Sequence, residues 1–292
     1  MARLDPTALF GRISRDIGAP LLRHVYVTGS LAAAYAFKLK LKSRAVNTKD
    51  ADLVVHPAGD VASAEAMALE LLRLGWRRLA DKCFAREKPQ PIDDLMAIRL
   101  NPPRSTDYFV EFLNVPREEQ VESKRWVPVR LDDGWYGLPS FKFMGVTEHG
   151  VRRSDEGLRY ASPETMALSN LLSHAPLRED RIESGEFTGI RRCSKDLGRV
   201  IALAYLSGRE ATEAWPGRWI EALKKSFPRT WGEHARRAGV GLREILDDED
   251  LLAEALKTTE AGLLGGMGVG AAALRAVGER LLVDAIGPLE GA

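Results

Sequence analysis

Gly29-Ser30, Asp50-Ala51-Asp52 and Glu111 are residues whose types and spacing suit chemistry on a phosphate. A glycine closing the apolar run 24–28 lets the backbone come close to a ligand, because no Cβ stands in the way. If a helix begins there, its first N–H groups and the positive end of its dipole face an anion. The Ser30 hydroxyl can join them. Further on comes Asp50-Ala51-Asp52. Alternate residues of a strand face the same way. Both carboxylates therefore project together, and they repel unless a cation or proton lies between them. Glu111 stands in the otherwise apolar YFVEFLNV, where a carboxylate must meet water, a partner or a metal. If its strand neighbours that of Asp50, three acids converge beside the Gly-Ser turn. Such a set suits two metal ions, one on triphosphate oxygens and one lowering the pKa of an attacking hydroxyl. Oxygen-only ligands select magnesium over zinc. The plainer alternative is a solvated strand end at Asp50 and an ordinary turn at Gly29.

The elements needed to position these residues can be read on either side of them. Residues 5–17 have Leu9, Phe10, Ile13 and Ile17 on one helical face. Residues 24–28 suit a strand, Ser30 a helix N-cap, and 31–41 a helix. Residues 50–55 alternate and stop before Pro57, as a strand would. An amphipathic helix over 61–74 ends at Gly75. Strand-like runs follow at 76–86, 95–100 and 108–115, with a turn at 101–105. A hairpin is expected around Asp133-Gly134. From Ser162-Pro163-Glu164 onward the pattern is helical, over 163–172, 191–206, 219–226, 242–245, 250–256 and 271–286. The fold class expected is α/β (α+β), a mixed sheet with helices over 1–160, followed by an α-helical domain over 161–292.

Bulk properties exclude several classes. A chain of 292 residues with 45% hydrophobic and 28% charged content reads as globular, and a net charge of +1 argues against a uniformly basic nucleic-acid binder. Cys83 and Cys193 match no zinc or redox spacing, and the five histidines show no i, i+4 pair. The first eighteen residues lack an apolar signal core, and the uncharged stretch 261–274 is too short to span a bilayer. A cytoplasmic protein with no membrane partner is expected.

Together, the Gly-Ser turn, the Asp-x-Asp strand and the later apolar-acid-apolar strand resemble the nucleotidyltransferase superfamily of polymerase-β-like fold. Thr48-Lys49-Asp50-Ala51-Asp52 is similar to the T/S-K-D-x-D form of the AbiEii/MenT-type toxin nucleotidyltransferases. SPETMALSNLLSH and RRCSKDLGRVIAL resemble the downstream helices of that family. The likeness implies magnesium-dependent transfer of a nucleotide from a nucleoside triphosphate (ATP or another NTP) to an acceptor hydroxyl. The acceptor would be tRNA or a protein, in a toxin-antitoxin or defence role with a cognate antitoxin, and the active cleft would lie between the two domains. It implies that Gly29 and Ser30 hold the triphosphate, that Asp50 and Asp52 bind magnesium, and that Glu111 completes the metal site or acts as general base. It also implies that Lys49 neutralises phosphate charge, and that Lys195 and Asp196 reach the site from the helical domain. The chain departs from the family at Asn170, where a helix lysine is usual, and at Arg199, where a second acid is usual. Two alternatives follow: a small-molecule, antibiotic-type nucleotidyltransferase, and a catalytically silent nucleotide-binding module.

Other features read more plainly. FKLKLKSR (37–44) is a charged helix end or a polyanion contact leading into the acids. GLLGGMGVG (262–270) is a small-residue helix or loop, with no strand before it. Asp93-Asp94, Asp132-Asp133 and Asp247-Asp248 suit turns or caps, and the six tryptophans suit a core or a domain interface.

Overall fold

The computed structural model describes residues 4–42, 48–79, 95–115, 124–177, 180–183 and 187–292. Cys83, Arg44, Asp93-Asp94 and the end of the expected strand 76–86 lie outside the described residues. The chain divides into two compact units, Met1–Ala161 and Ser162–Ala292. The described part combines a mixed sheet with helices, a mixed α/β architecture.

The first unit opens with α1 (Pro6–Ile17), whose N-terminus is capped by the Asp5 carboxylate, and the short α2 (Ala19–Leu22). Then come β1 (Val25–Thr28), α3 (Gly29–Ala36), β2 (Asp50–Val55) and α4 (Val61–Arg73). β3 (Arg77–Arg78), β4 (Arg99–Asn101) and β5 (Phe109–Leu113) follow. A separate hairpin, β6 (Lys124–Leu131) with β7 (Gly134–Phe141), turns through Asp132-Asp133 as its sequence suggests. After a 3-10 helix over Lys142–Gly150, β8 (Val151–Arg153) and β9 (Arg159–Ala161) complete a seven-stranded sheet of order β3-β4-β5-β2-β1-β9-β8. Pairings β2–β5 and β1–β9 are parallel and the others antiparallel.

Strand alternation sorts the sheet into two faces. Val25, Val27, Ala51, Leu53, Val110 and Phe112 share one face and are fully buried. Each of the valine, leucine and phenylalanine side chains contributes about 1.5–3 kcal/mol relative to exposure. A register slip of one residue would send the acids into that core, so this apolar face fixes which way they point.

Two expectations near the turn need correction. The N-cap of α3 is Thr28 and not Ser30, because the chain turns at Gly29, at φ +72, and the helix begins two residues earlier than expected. The helix also stops at Ala36 instead of running to 41. Phe37, Leu39 and Leu41 alternate with lysines at period two, which makes no helical stripe. Phe37 and Leu41 are buried while Leu39 is 87% exposed. The sequence reading also lacked β8 and β9, which are three residues each and largely charged or aromatic.

The second unit, where described, is helical. It comprises α5 (Pro163–Leu177), α6 (Arg192–Ser207), α7 (Arg209–Glu213), α8 (Trp215–Ser226) and α9 (Trp231–Arg237). α10 (Val240–Asp247), α11 (Glu249–Ala261), α12 (Ala271–Leu281), a π-helical turn at Leu282–Ile286 and α13 (Gly287–Glu290) follow. Asp248 caps α11, and 262–270 form turns between α11 and α12. Trp76, Trp215 and Trp219 are buried, whereas Trp126, Trp135 and Trp231 are only partly so. No helix among the described residues is long and apolar enough to cross a membrane.

Candidate active site

Strand register does most of the positioning. Thr28 pairs with Asp52 across β1–β2, Asp52 with Glu111 across β2–β5, and Glu111 with Arg99 across β5–β4. Directly opposed residues present their side chains to the same face. Thr28, Asp52, Glu111 and Arg99 therefore form one transverse row over four strands. Asp50 lies two residues before Asp52 and so shares the face.

The Gly29 turn closes on this row. A Cβ added to Gly29 would overlap Asp52 Oδ2 and lie 3.5 Å from its Cγ. Together with φ +72, this leaves glycine as the residue that fits. The backbone at the start of α3 thus meets the Asp52 carboxylate with nothing between them. Ser30 is half-buried in the first turn of that helix.

Each acid has a distinct setting. Asp50 Oδ1 accepts a 2.5 Å hydrogen bond from Thr48 Oγ1, and Thr48 is itself buried. Lys49 is exposed, and its carbonyl accepts from Phe109 N at 2.8 Å, which anchors the approach to β2 on β5. Glu111 is only 9% exposed. Its carboxylate accepts from Arg99 Nε at 3.1 Å and Arg99 Nη2 at 3.2 Å. An ionised carboxylate buried without such a partner costs several kcal/mol. The same guanidinium lies 5.5 Å from the centre of the Phe109 ring. Arg99 is a residue that sequence reasoning missed. Its alternation with the buried Ile98 and Leu100 marks it as facing away from them, but the β4–β5 register is what sets it beside Glu111.

Lys195 and Asp196 lie on α6 of the second unit, and Asp196 Oδ1 is 3.5 Å from Arg199 Nη1. Arg199, at the position of the missing second acid, is thus a salt-bridge partner of Asp196. Of the lysines in 37–44, Lys38 donates to Tyr35 Oη and to Asp155 Oδ2, both at 2.9 Å. The Tyr35 bond, then the Asp155 bond, hold its ammonium pKa above the ordinary value. Lys40 and Lys42 are exposed.

No family model, curated protein or solved structure matches the chain.

The row and Asp50 carry three carboxylates and one guanidinium, while Arg77, Arg159 and Arg153 share the same face farther along the sheet. Among the described residues, no group of three or more His, Cys, Asp or Glu side chains is gathered tightly enough to hold a metal ion alone. Glu111 is bound by Arg99, while Asp50 and Asp52 share one face at the start of β2. That set fits magnesium, which is held by one or two carboxylates plus substrate phosphates more often than by an all-protein cage. The contact of the Gly29 turn with Asp52 supplies the rest of the fit. An anion on the first turn of α3 and a cation on Asp52 would be neighbours.

Proposed function

We propose that the chain is a nucleotidyltransferase of polymerase-β-like type, moving a nucleotide from a nucleoside triphosphate to an acceptor hydroxyl with magnesium. The observation that carries this reading is the row Thr28–Asp52–Glu111–Arg99 with the Gly29 turn closed against Asp52. A divalent cation bound there would neutralise the triphosphate and lower the pKa of the acceptor hydroxyl. The chain's own groups do the positioning. Gly29 and Ser30 hold phosphate on the first turn of α3, at the positive end of the helix dipole. Asp50, oriented by Thr48, and Asp52 face the cation. Lys49, exposed one residue before Asp50, adds positive charge for the phosphates. Glu111 is the third acid of the set, with Arg99 as its countercharge.

Exposed Lys40 and Lys42, shortly before the acids, make a polyanionic acceptor such as tRNA the first to test. The assay incubates the protein with magnesium, each labelled triphosphate and total tRNA, alongside the D50A/D52A variant. Label on tRNA that disappears in the variant is the expected result. Label that persists in the variant would sink the assignment of Asp50 and Asp52. A second reading, a nucleotide-binding module without transfer, is favoured by the pairing of Asp196 with Arg199. It predicts triphosphate binding with no pyrophosphate released on any acceptor.

A further inference from the structure

We infer that Arg153 and Arg159 form a binding site for a phosphate dianion, on the β8–β9 side of the sheet and apart from the acids. The inference goes beyond the nucleotidyltransferase reading and does not depend on it.

Strand register brings the two arginines together. Arg153 of β8 is directly opposite Arg159 of β9. Ser154 N donates to Leu158 O at 2.9 Å, so the next pair along, Arg153 with Arg159, is one that exchanges no backbone hydrogen bonds. In such a pair the Cα atoms stand about 4.5 Å apart and the side chains come closest. Like charges opposed in this way destabilise a sheet. Arg153 is exposed and meets no carboxylate among the described residues. Arg159 is half-buried on an interior strand. Its Nε donates to Val25 O at 3.2 Å and its Nη2 to Arg23 O. These carbonyls fix the guanidinium without neutralising its charge, and they leave its Nη1 side for a ligand. Burial holds the Arg159 pKa below the ordinary value, against the smaller opposing influence of Tyr26 and Glu148. Glu148 is itself paired with His56, at 3.1 Å.

Charge on an edge strand discourages pairing with other chains. That accounts for Arg152 and Arg153 on β8, but not for Arg159, which lies one strand in. Two adjacent guanidiniums, one of them fixed before any ligand arrives, suit an anion with two charges and several oxygens, because each fork takes a pair of oxygens. A terminal phosphate group carries close to two charges at neutral pH, whereas a phosphodiester carries one. The pair is separate from the acidic row. Arg159 lies beside Tyr26, two residues short of Thr28, and β8 is three strands from β2. At about 3.3 Å per residue and about 4.8 Å per strand, Arg153 stands about 15 Å from Asp52.

The test follows calorimetry and thermal melting with inorganic phosphate, at constant ionic strength and without magnesium. Wild type, R153Q, R153K and R159Q are compared. Phosphate also stabilises proteins by exclusion from their surfaces, but that effect is common to all four. Wild type should bind phosphate saturably, and R153Q about tenfold or more weakly, the loss expected for bonds to a charged partner. R153K, which keeps the charge without the fork, should fall between them. Equal affinity in wild type and R153Q overturns the site, and so does a wild type that binds no phosphate saturably. R159Q also loses the tether to β1. If it does not melt cooperatively, R153Q and R153K decide. An RNA oligonucleotide with a 5′-phosphate is then compared with its 5′-hydroxyl form. A preference for the 5′-phosphate that R153Q abolishes makes the ligand a polymer end. No preference, beside phosphate binding that R153Q weakens, makes it a small phosphorylated compound.

Discussion

Gly29→Ala tests whether the turn and the acid are in contact. The substitution has two costs. Residue 29 has φ +72, and a left-handed backbone costs a residue with a Cβ about 1–2 kcal/mol. The new methyl also falls on Asp52 Oδ2, closer than the 3.0 Å that real Cβ atoms keep. Forcing extra volume into a filled site costs about 1–3 kcal/mol. Gly75→Ala serves as the control. It too has a left-handed backbone, at φ +86, but its Cβ would have Pro103 Cγ as nearest neighbour at 3.7 Å, an ordinary contact. The entropic effect of adding a methyl to the unfolded chain is common to both variants. The difference between them therefore isolates the overlap with Asp52. G29A should lose about 1–3 kcal/mol more than G75A in urea unfolding, which is several degrees in melting midpoint for a unit of this size. Should Asp52 rotate aside to relieve the overlap, the stability gap narrows and magnesium binding falls instead. A G29A protein that matches G75A in both stability and magnesium binding would refute the contact.

Two further outcomes follow from single contacts. Thr48→Val removes the hydroxyl that orients Asp50 while keeping its shape. A hydrogen bond to a charged group is worth about 1.5–3 kcal/mol, so magnesium affinity by calorimetry should fall about tenfold. An unchanged affinity would show that Thr48 does not set the Asp50 carboxylate. Asp60 bears on pH. Burial alone would raise its pKa, but hydrogen bonds from the Ser63 hydroxyl and N–H, together with nearby His24, bring it below the ordinary carboxyl value. A folded pKa below the unfolded one means stability present above the unfolded value, about 4, and lost as pH falls through the folded value. Asp60→Asn should therefore be less stable than wild type at pH 7, and the gap in melting midpoint should shrink towards pH 3. A gap constant with pH would refute the assignment.

Much of the first unit is legible because its periodicities are clean. Residues 5–17 place Leu9, Phe10, Ile13 and Ile17 inward, as the helix α1 does, and β2 spans the residues that alternate after Lys49. The same-face relation of Asp50 and Asp52 follows from strand geometry alone. Their relation to Glu111 does not, because a sequence does not say which strand lies beside which. β2 and β5 are parallel neighbours with Asp52 set opposite Glu111, a tertiary fact. Arg99 was hidden for the same reason. Its alternation with Ile98 and Leu100 told which face it takes, but only the β4–β5 register sets it against Glu111. The short end of α3 and the extra strands β8 and β9 show local preference giving way to packing, since three-residue strands have little propensity of their own.

The parallel pairing of Val27 with Tyr160 has a consequence for how this unit can be made. Strand β1 ends in the Gly29 turn, yet one of its two neighbours arrives roughly 130 residues later in the chain. At ordinary rates of synthesis a ribosome needs on the order of ten seconds to supply it. Until then the nascent β1 presents an open backbone edge bearing Val25, Tyr26 and Val27, all fully buried in the finished unit. Such an edge invites pairing with other chains. A fragment halted at residue 150 would carry every acid of the site and still leave that edge bare. The shortest self-sufficient piece of the first unit must run through Ala161.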